Sequence, residues 1–202
     1  MKIVNETFLI REGKFAESQE FAQIMTEISD AVSKVTWHSK EEFIINPTKK
    51  GNGVVPIKLD FIKTLLEYKW VGEYRMALAN GMKPGPLDAV KETSFGKFAV
   101  EWETGNISSS HRALNKIAVG IIQGQIIGGI LILPVRELST YLTDRIGNYE
   151  EIAPYFVLYQ NLQISEGVIG AISIVHDNLS SDSPLIPKGN DGNAIKESEG
   201  EI

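Results

Sequence analysis

The sequence predicts an α/β protein whose mixed β-sheet is flanked by helices. Three observations carry that class. Apolar residues recur at helical spacing in several stretches, short apolar runs of strand length lie between them, and turn-forming clusters punctuate both. The length of 202 residues, set against roughly 150 per domain, predicts one domain over residues 1–192 with an acidic tail, 193–202, expected to fray. A chain of this size buries about 70% of its unfolded surface, so its core needs no disulfide or structural metal.

Each element follows in order. Phe21, Ile24, Met25, Ile28, Ala31, Val32 and Val35 share one helical face and predict an amphipathic helix within 15–35. The run NPTKKGNG, Asn46 to Gly53, is a loop. A second helix is expected from Pro56 to about Lys69, because proline suits a first turn. KPGP, Lys83 to Pro86, breaks the chain before two strands, Leu87–Val90 and Lys97–Thr104, joined by a turn near Ser94 to Gly96. Along the second strand Phe98, Val100 and Trp102 face one side, and Glu101 and Glu103 the other. Leu114, Ile117, Ala118 and Ile121 predict a helix after the cap-rich turn at 104–109. Ile126 to Leu133 reads as a strand buried on both faces. A helix is expected to start near Pro134 and end before Thr143, and a further strand to run from Val168 to Val175.

Composition narrows the function classes. With no cysteine, thiol nucleophiles, iron–sulfur clusters and cysteine-ligated zinc are excluded. The balance of 20 Lys+Arg against 26 Asp+Glu gives −6, which alone argues mildly against nucleic acid as a partner. Glu197, Glu199 and Glu201 crowd the C-terminal end, however, so an acidic tail can mask a basic face near Lys49, Lys50 and Lys58. The longest apolar run, Ile126 to Val135, is about ten residues, too short for a bilayer. No secretory pattern follows Met1-Lys2, and the expectation is a soluble cytoplasmic protein without a membrane partner.

Two constellations carry chemistry. Asp88 on one strand and Glu101-Trp102-Glu103 on the next would converge on one sheet face if the strands pair. Hard divalent cations such as magnesium take such oxygen ligands and assist in-line phosphoryl displacement. A Glu-x-Glu strand is more often simply a solvated face. The second constellation is Asn106, Ser108, Ser109, His111 and Arg112 at a helix start, where free N–H groups bind anions and side chains can reach base edges. The bland alternative is a well-capped helix with a wet first turn.

At these residues the chain resembles a known family. GPLD (Gly85 to Asp88), EWETGNISSSHRALNK (Glu101 to Lys116), NGVVPIK (Asn52 to Lys58), ILILPVRELSTYLTDRIGNYEEIAPYF (Ile130 to Phe156) and PLIPKGNDG (Pro184 to Gly192) are similar, in order, to blocks of the BamHI type of restriction endonuclease. The resemblance implies the PD-(D/E)XK nuclease fold, a homodimer, palindromic duplex DNA as substrate and Mg2+ as cofactor. It further implies the site GGATCC, cut after the first G to leave 5′ overhangs. By motif it makes Asp88, Glu101 and the backbone carbonyl of Trp102 metal ligands. Glu103 stands where most of the superfamily has lysine, as general base or second ligand, and Glu73 is a further acidic residue near the site. Asn106, Ser108, Arg112, Asp144, Arg145 and Asp191 fall at base-facing positions, and Ser109, His111 and Lys58 join them as DNA contacts, Lys58 at a phosphate. Arg, Asp and Asn suit G, C and A respectively, the mixture a G·C-rich site needs. A methyltransferase protecting host DNA would be the partner of such a system, not a bound subunit.

The first 35 residues match that family only as a helix, and the chain stops ten residues after Gly192. The rival class is a sequence-specific DNA-binding protein without cleavage activity. Clustering Asp88, Glu101 and Glu103 beside phosphates would hinder a pure binder. A third reading, a structural α/β protein, leaves TGNISSSHR and TDR unexplained.

Overall fold

Burial on both faces of three central strands sets the architecture. The computed structural model describes residues 1–78 and 84–188. It opens with strand β1 (Lys2–Glu12), a single helical turn α1 (Gly13–Ala16) and helix α2 (Gln19–Ser33). Strand β2 (Ile44–Ile45), helix α3 (Val55–Glu67) and strand β3 (Val71–Tyr74) follow. The hairpin of β4 (Leu87–Thr93) and β5 (Gly96–Trp102) leads into helix α4 (Ile107–Ile122), then β6 (Gly128–Pro134) and the short α5 (Arg136–Ser139). The chain continues through α6 (Tyr149–Ile152), a 3-10 turn at Ala153–Tyr155 and α7 (Phe156–Gln160) to β7 (Gly167–Val175) and β8 (Asn178–Leu179).

Six strands form one sheet in the order β1-β7-β6-β5-β4-β3. The core strands β5, β6 and β7 run parallel, while β1, β4 and β3 join antiparallel at the margins. Every residue of β6 is buried, as expected of an apolar run covered on both sides. Phe98, Val100 and Trp102 pack with Phe21, Ile28, Ile57 and Phe61 on the face covered by α2 and α3. Ala99, Leu131 and Ala171 pack with Leu114, Ile117 and Phe156 on the opposite face, under α4 and α7. The predicted alternation of β5 therefore holds. Gly129 lets α4 sit close: a Cβ there would lie 2.9 Å from Ile117. Caps fix the two longest helices, α2 and α4, Ser18 Oγ accepting from Phe21 N–H and Asn106 Oδ1 from Ser109 N–H, each worth about 1 kcal/mol.

Several expectations need correction. The first strand is absent from the sequence reading. Its bulges between Ile3 and Asn5 and between Phe8 and Ile10 break the alternation that would have shown it. The first long helix starts at Gln19 rather than near residue 15, because Gly13, at φ 84°, ends β1 in a turn. Pro134 does not open a helix but closes β6, where its missing N–H costs little at a strand end, and α5 begins two residues later. The short helices at 149–160 and strand β3 were not foreseen either. The expected tail, 193–202, lies outside the described residues.

Candidate active site

The site forms where the β4–β5 ladder ends and α4 begins. Antiparallel pairing of Ala89 with Val100 sets Asp88 beside Glu101 and Trp102. Asp88 Oδ2 accepts the Trp102 backbone N–H at 2.8 Å, locking the carboxylate to the neighbouring strand. Its Oδ1 accepts from Lys58 Nζ, on α3, at 2.6 Å. Trp102 is 1% exposed, and its ring lies 4.5 Å from that of Phe61, which fixes the strand end from below.

Glu101 shares the face of Ala99 and points at α4. It is 1% exposed, and its Oε1 lies 2.5 Å from Lys116 Nζ, an ionic contact without hydrogen-bond alignment. Burial, then the Asp88 charge, push the Glu101 carboxyl up to about 7 against the pull of Lys116. Glu103 follows the strand, its N–H donating to Ile132 O at 2.8 Å. Burial and Asp88 raise it as well, against Lys58, Lys116 and Arg112. The three carboxylates therefore sense one another, and two lysines and an arginine ring them.

Lys116 escaped the sequence reading. A signal existed, because it falls on the arc of α4 that buries Ala113, Ile117 and Gly120. A lysine on that arc needs a counter-charge. Lys116 donates to Pro86 O at 2.8 Å besides meeting Glu101, so its ammonium bridges the start of β4 and the end of β5.

The donor set suits a hard divalent cation: carboxylate oxygens from adjacent strands, one of them a buried oxygen without an aligned donor. Among the described residues, no three such groups are drawn into a closed cage. Lys58 and Lys116 stand against two of the three instead. Glu73 lies opposite Asp88 in the β3–β4 ladder, between the Gly72–Ala89 and Tyr74–Leu87 pairs. It is exposed, at φ 53°, and is not among the charges acting on Glu101 or Glu103.

The expected DNA contacts gather beside this site. Asn106 caps α4, Ser108 and Arg112 are exposed on its first turns, and Ser109 approaches Gly105. The His111 ring meets Tyr155 edge-on at 4.7 Å. The loop carrying Asp144 and Arg145 docks on the same helix start, since Gly147 N–H donates to Gly105 O at 2.8 Å. A Cβ at Gly147 would come within 2.8 Å of the Ile107 backbone, so only glycine allows that approach. Asp144 does not pair with the Arg145 side chain. It meets Lys50 Nζ at 2.7 Å, which holds its carboxyl below the usual range, and accepts the Arg145 backbone N–H at 3.1 Å. Arg145 itself is exposed at φ 65°. The Pro184–Lys188 segment closes against the same loops through Gly53 N–H to Ile186 O at 2.8 Å. Asp191, further along, lies outside the described residues.

A mixed sheet between helical layers, with a carboxylate trio at one strand end and polar loops around it, is the architecture of a restriction endonuclease. The solved structure of restriction endonuclease BGLII complexed with a DNA 16-mer overlays it with a TM-score of 0.64, covering 88% of this chain and 79% of that one at 13% identity. The chain belongs to the BamHI restriction endonuclease family, whose model matches residues 1–193. It is 44% identical to the type II restriction enzyme OkrAI of Oceanobacter kriegii, over 97% of this chain and all of that one. It is 36% identical to the type II restriction enzyme BamHI of Bacillus amyloliquefaciens, over 94% and 92% respectively. The chain is thus a type II site-specific deoxyribonuclease, and the expected family and fold are borne out. Among the described residues no helix is long and apolar enough to cross a membrane.

Proposed function

We propose that this endonuclease hydrolyses palindromic duplex DNA with Mg2+, at GGATCC, after the first G, leaving 5′ overhangs. The observation that carries the reading is the convergence of Asp88, Glu101 and Glu103 beside the docked pair of α4 and the 143–147 loop. Asp88, Glu101 and the Trp102 carbonyl would hold the cation. Bound there, magnesium neutralises charge developing on the phosphoryl group and its leaving oxygen. Glu103, raised by burial, is suited to take the proton of the attacking water. That water's oxygen bonds to phosphorus as the bond to the 3′-oxygen breaks, giving a 3′-hydroxyl and a 5′-phosphate. Arg112 and Lys58 place positive charge near Glu103, where they would attract a backbone phosphate. Asn106, Ser108, Arg112, Asp144, Arg145 and Asp191 are assigned to base edges, Ser109 and His111 to supporting contacts, and Glu73 to the rim of the site.

A palindrome presents two identical half-sites, which a two-fold homodimer reads with one contact set per subunit. The sequence pattern places such a seam through the helix after TGNISSSHR, here α4, and its neighbour around Val135 to Leu142. Leu138 and Leu142 pack on the sheet face opposite to α4, so we keep α4 and look for its companion on its own face. We assign the seam to α4, the 3-10 turn and α7, where Ile122, Tyr155, Val157 and Leu158 are exposed. A methyltransferase that modifies the same site completes the system.

The test is to incubate the purified protein with Mg2+ and two plasmids that differ only in one GGATCC. Linearisation of that plasmid alone, with ends mapped after the first G, supports the proposal. Retention of the duplex without cutting supports the non-cleaving binder. Cutting at another sequence overturns the assigned site.

A further inference from the structure

Two lysines oppose the carboxylates, and they are built differently. Lys116 is 8% exposed, held by Pro86 O and lodged against Glu101, so it has nowhere to go. Lys58 reaches in from α3 with its side chain 39% exposed, and its ammonium donates to Asp88 Oδ1. Because Asp88 Oδ2 is tied to the Trp102 N–H, Oδ1 is the oxygen left to meet a cation. Lys58 sits on it. A divalent ion approaching Asp88 at normal ligand distances would crowd an ammonium 2.6 Å from the same oxygen, and the two positive charges would repel.

We propose that Lys58 is a displaceable internal cation that couples metal binding to DNA binding: it holds Asp88 in the metal-free protein and moves to a backbone phosphate as metal and duplex bind. This rests on the proposed metal-dependent cleavage and assigns one residue the linkage between its two ligands. Lys58 also acts electrostatically on Glu103, so its charge is felt by a second carboxylate of the trio as well as by Asp88. A duplex phosphate draws Lys58 off Asp88 and opens Oδ1, and a metal at Oδ1 releases Lys58 to the phosphate. By linkage each ligand must then tighten the other by the same factor. Lys58 is a positioning residue here, because it sets the availability of Asp88.

Calcium titration by calorimetry, with and without an uncut cognate duplex, measures that coupling without cleavage. In the wild type, duplex should tighten calcium binding by about tenfold or more, within the ~5–150-fold range of ordinary coupling. Lys58→Met should bind calcium more tightly than wild type when free, because the competitor is gone, and should lose most of the gain from duplex. Lys58→Arg keeps the charge and should retain the coupling, and circular dichroism checks that both variants fold. A merely structural lysine would weaken calcium binding when removed, not strengthen it. Equal or weaker calcium binding by free Lys58→Met, undiminished coupling, or no calcium uptake by either free protein overturns the inference. A wild type that neither takes up calcium with duplex nor cuts DNA in magnesium would instead sink the metal-dependent reading itself.

Discussion

The β4–β5 strand end and the 143–147 loop sit side by side, yet they are constructed on opposite principles. On the strands, Asp88 and Glu101 are fixed by ladder pairing, an N–H from Trp102 and a buried lysine. On the loop, Asp144 and Arg145 are exposed, Arg145 is in a left-handed backbone state, and a hydrogen bond from Gly147 to Gly105 O moors the segment just ahead of α4. The chemistry needs groups held to fractions of an ångström, which a sheet supplies. Recognition needs side chains that project into a groove and settle on the bases they meet, which a moored loop supplies. The rigid region should therefore fail in rate and the loop in discrimination.

The largest effect should come from Asp88→Asn. An amide oxygen is a poor magnesium ligand, so cutting of the cognate duplex should slow by roughly a hundredfold or more. Binding in EDTA should be at least as tight as wild type, because one negative charge beside the phosphates is gone. Both are measurable on one labelled duplex, and near wild-type cutting would remove Asp88 from the ligand set. Next comes pH. Glu101 titrates at about 7 in the fold against an ordinary 4.5, so the folded state binds its proton more tightly. In the metal-free protein the Glu101 contribution to stability should be full below about 4.5, fall as pH rises through about 7 and then level, by on the order of 3 kcal/mol. Asp30, Asp144 and Asp177, held below their usual range, act the other way at acid pH. Urea melts across that range should show the slope in wild type and its loss in Glu101→Gln.

Smaller effects belong to the loop. Arg145→Ala should cost on the order of 1–3 kcal/mol of discrimination between GGATCC and a single-mismatch duplex while sparing nonspecific affinity. Equal losses on both duplexes would take Arg145 out of the reading set. Gly147→Ala forces a methyl against the Ile107 backbone, so the loop must back away from α4. We expect about 1–3 kcal/mol of lost stability together with reduced cognate affinity. A variant that keeps both would show that the mooring is dispensable. Lys50→Ala, which removes an exposed partner of Asp144, should leave the melting temperature unchanged and alter only the salt dependence of DNA binding.

The two regions were also unequally legible. The strand pair could be read because apolar and acidic residues alternate through Val100–Glu103, a period of two that marks a strand even though Glu101 turns out to be buried. Helix α4 was legible from its helical period, and β6 from an unbroken apolar run of strand length. Lys50–Asp144 was not, since a contact between distant loops leaves no local pattern. Lys116 left a pattern, a lysine on a buried helical arc, that went unread. Strand β1 left a confused one, because two bulges and an exposed margin replace the regular repeat.

That irregular first strand shapes how the protein meets its own copies. An open sheet edge offers unpaired N–H and C=O groups to any passing strand, the usual beginning of aggregation. Here the β1 edge is kinked twice and carries exposed Lys2, Glu6, Arg11 and Glu12. The opposite edge, β3, is four residues long and interrupted by the left-handed turn of Glu73. Neither rim is a flat template that another chain could extend, so growth by strand addition is blocked at both ends. Helical surface is what remains for pairing, and contacts of that kind can close into a finite assembly where a sheet edge would propagate.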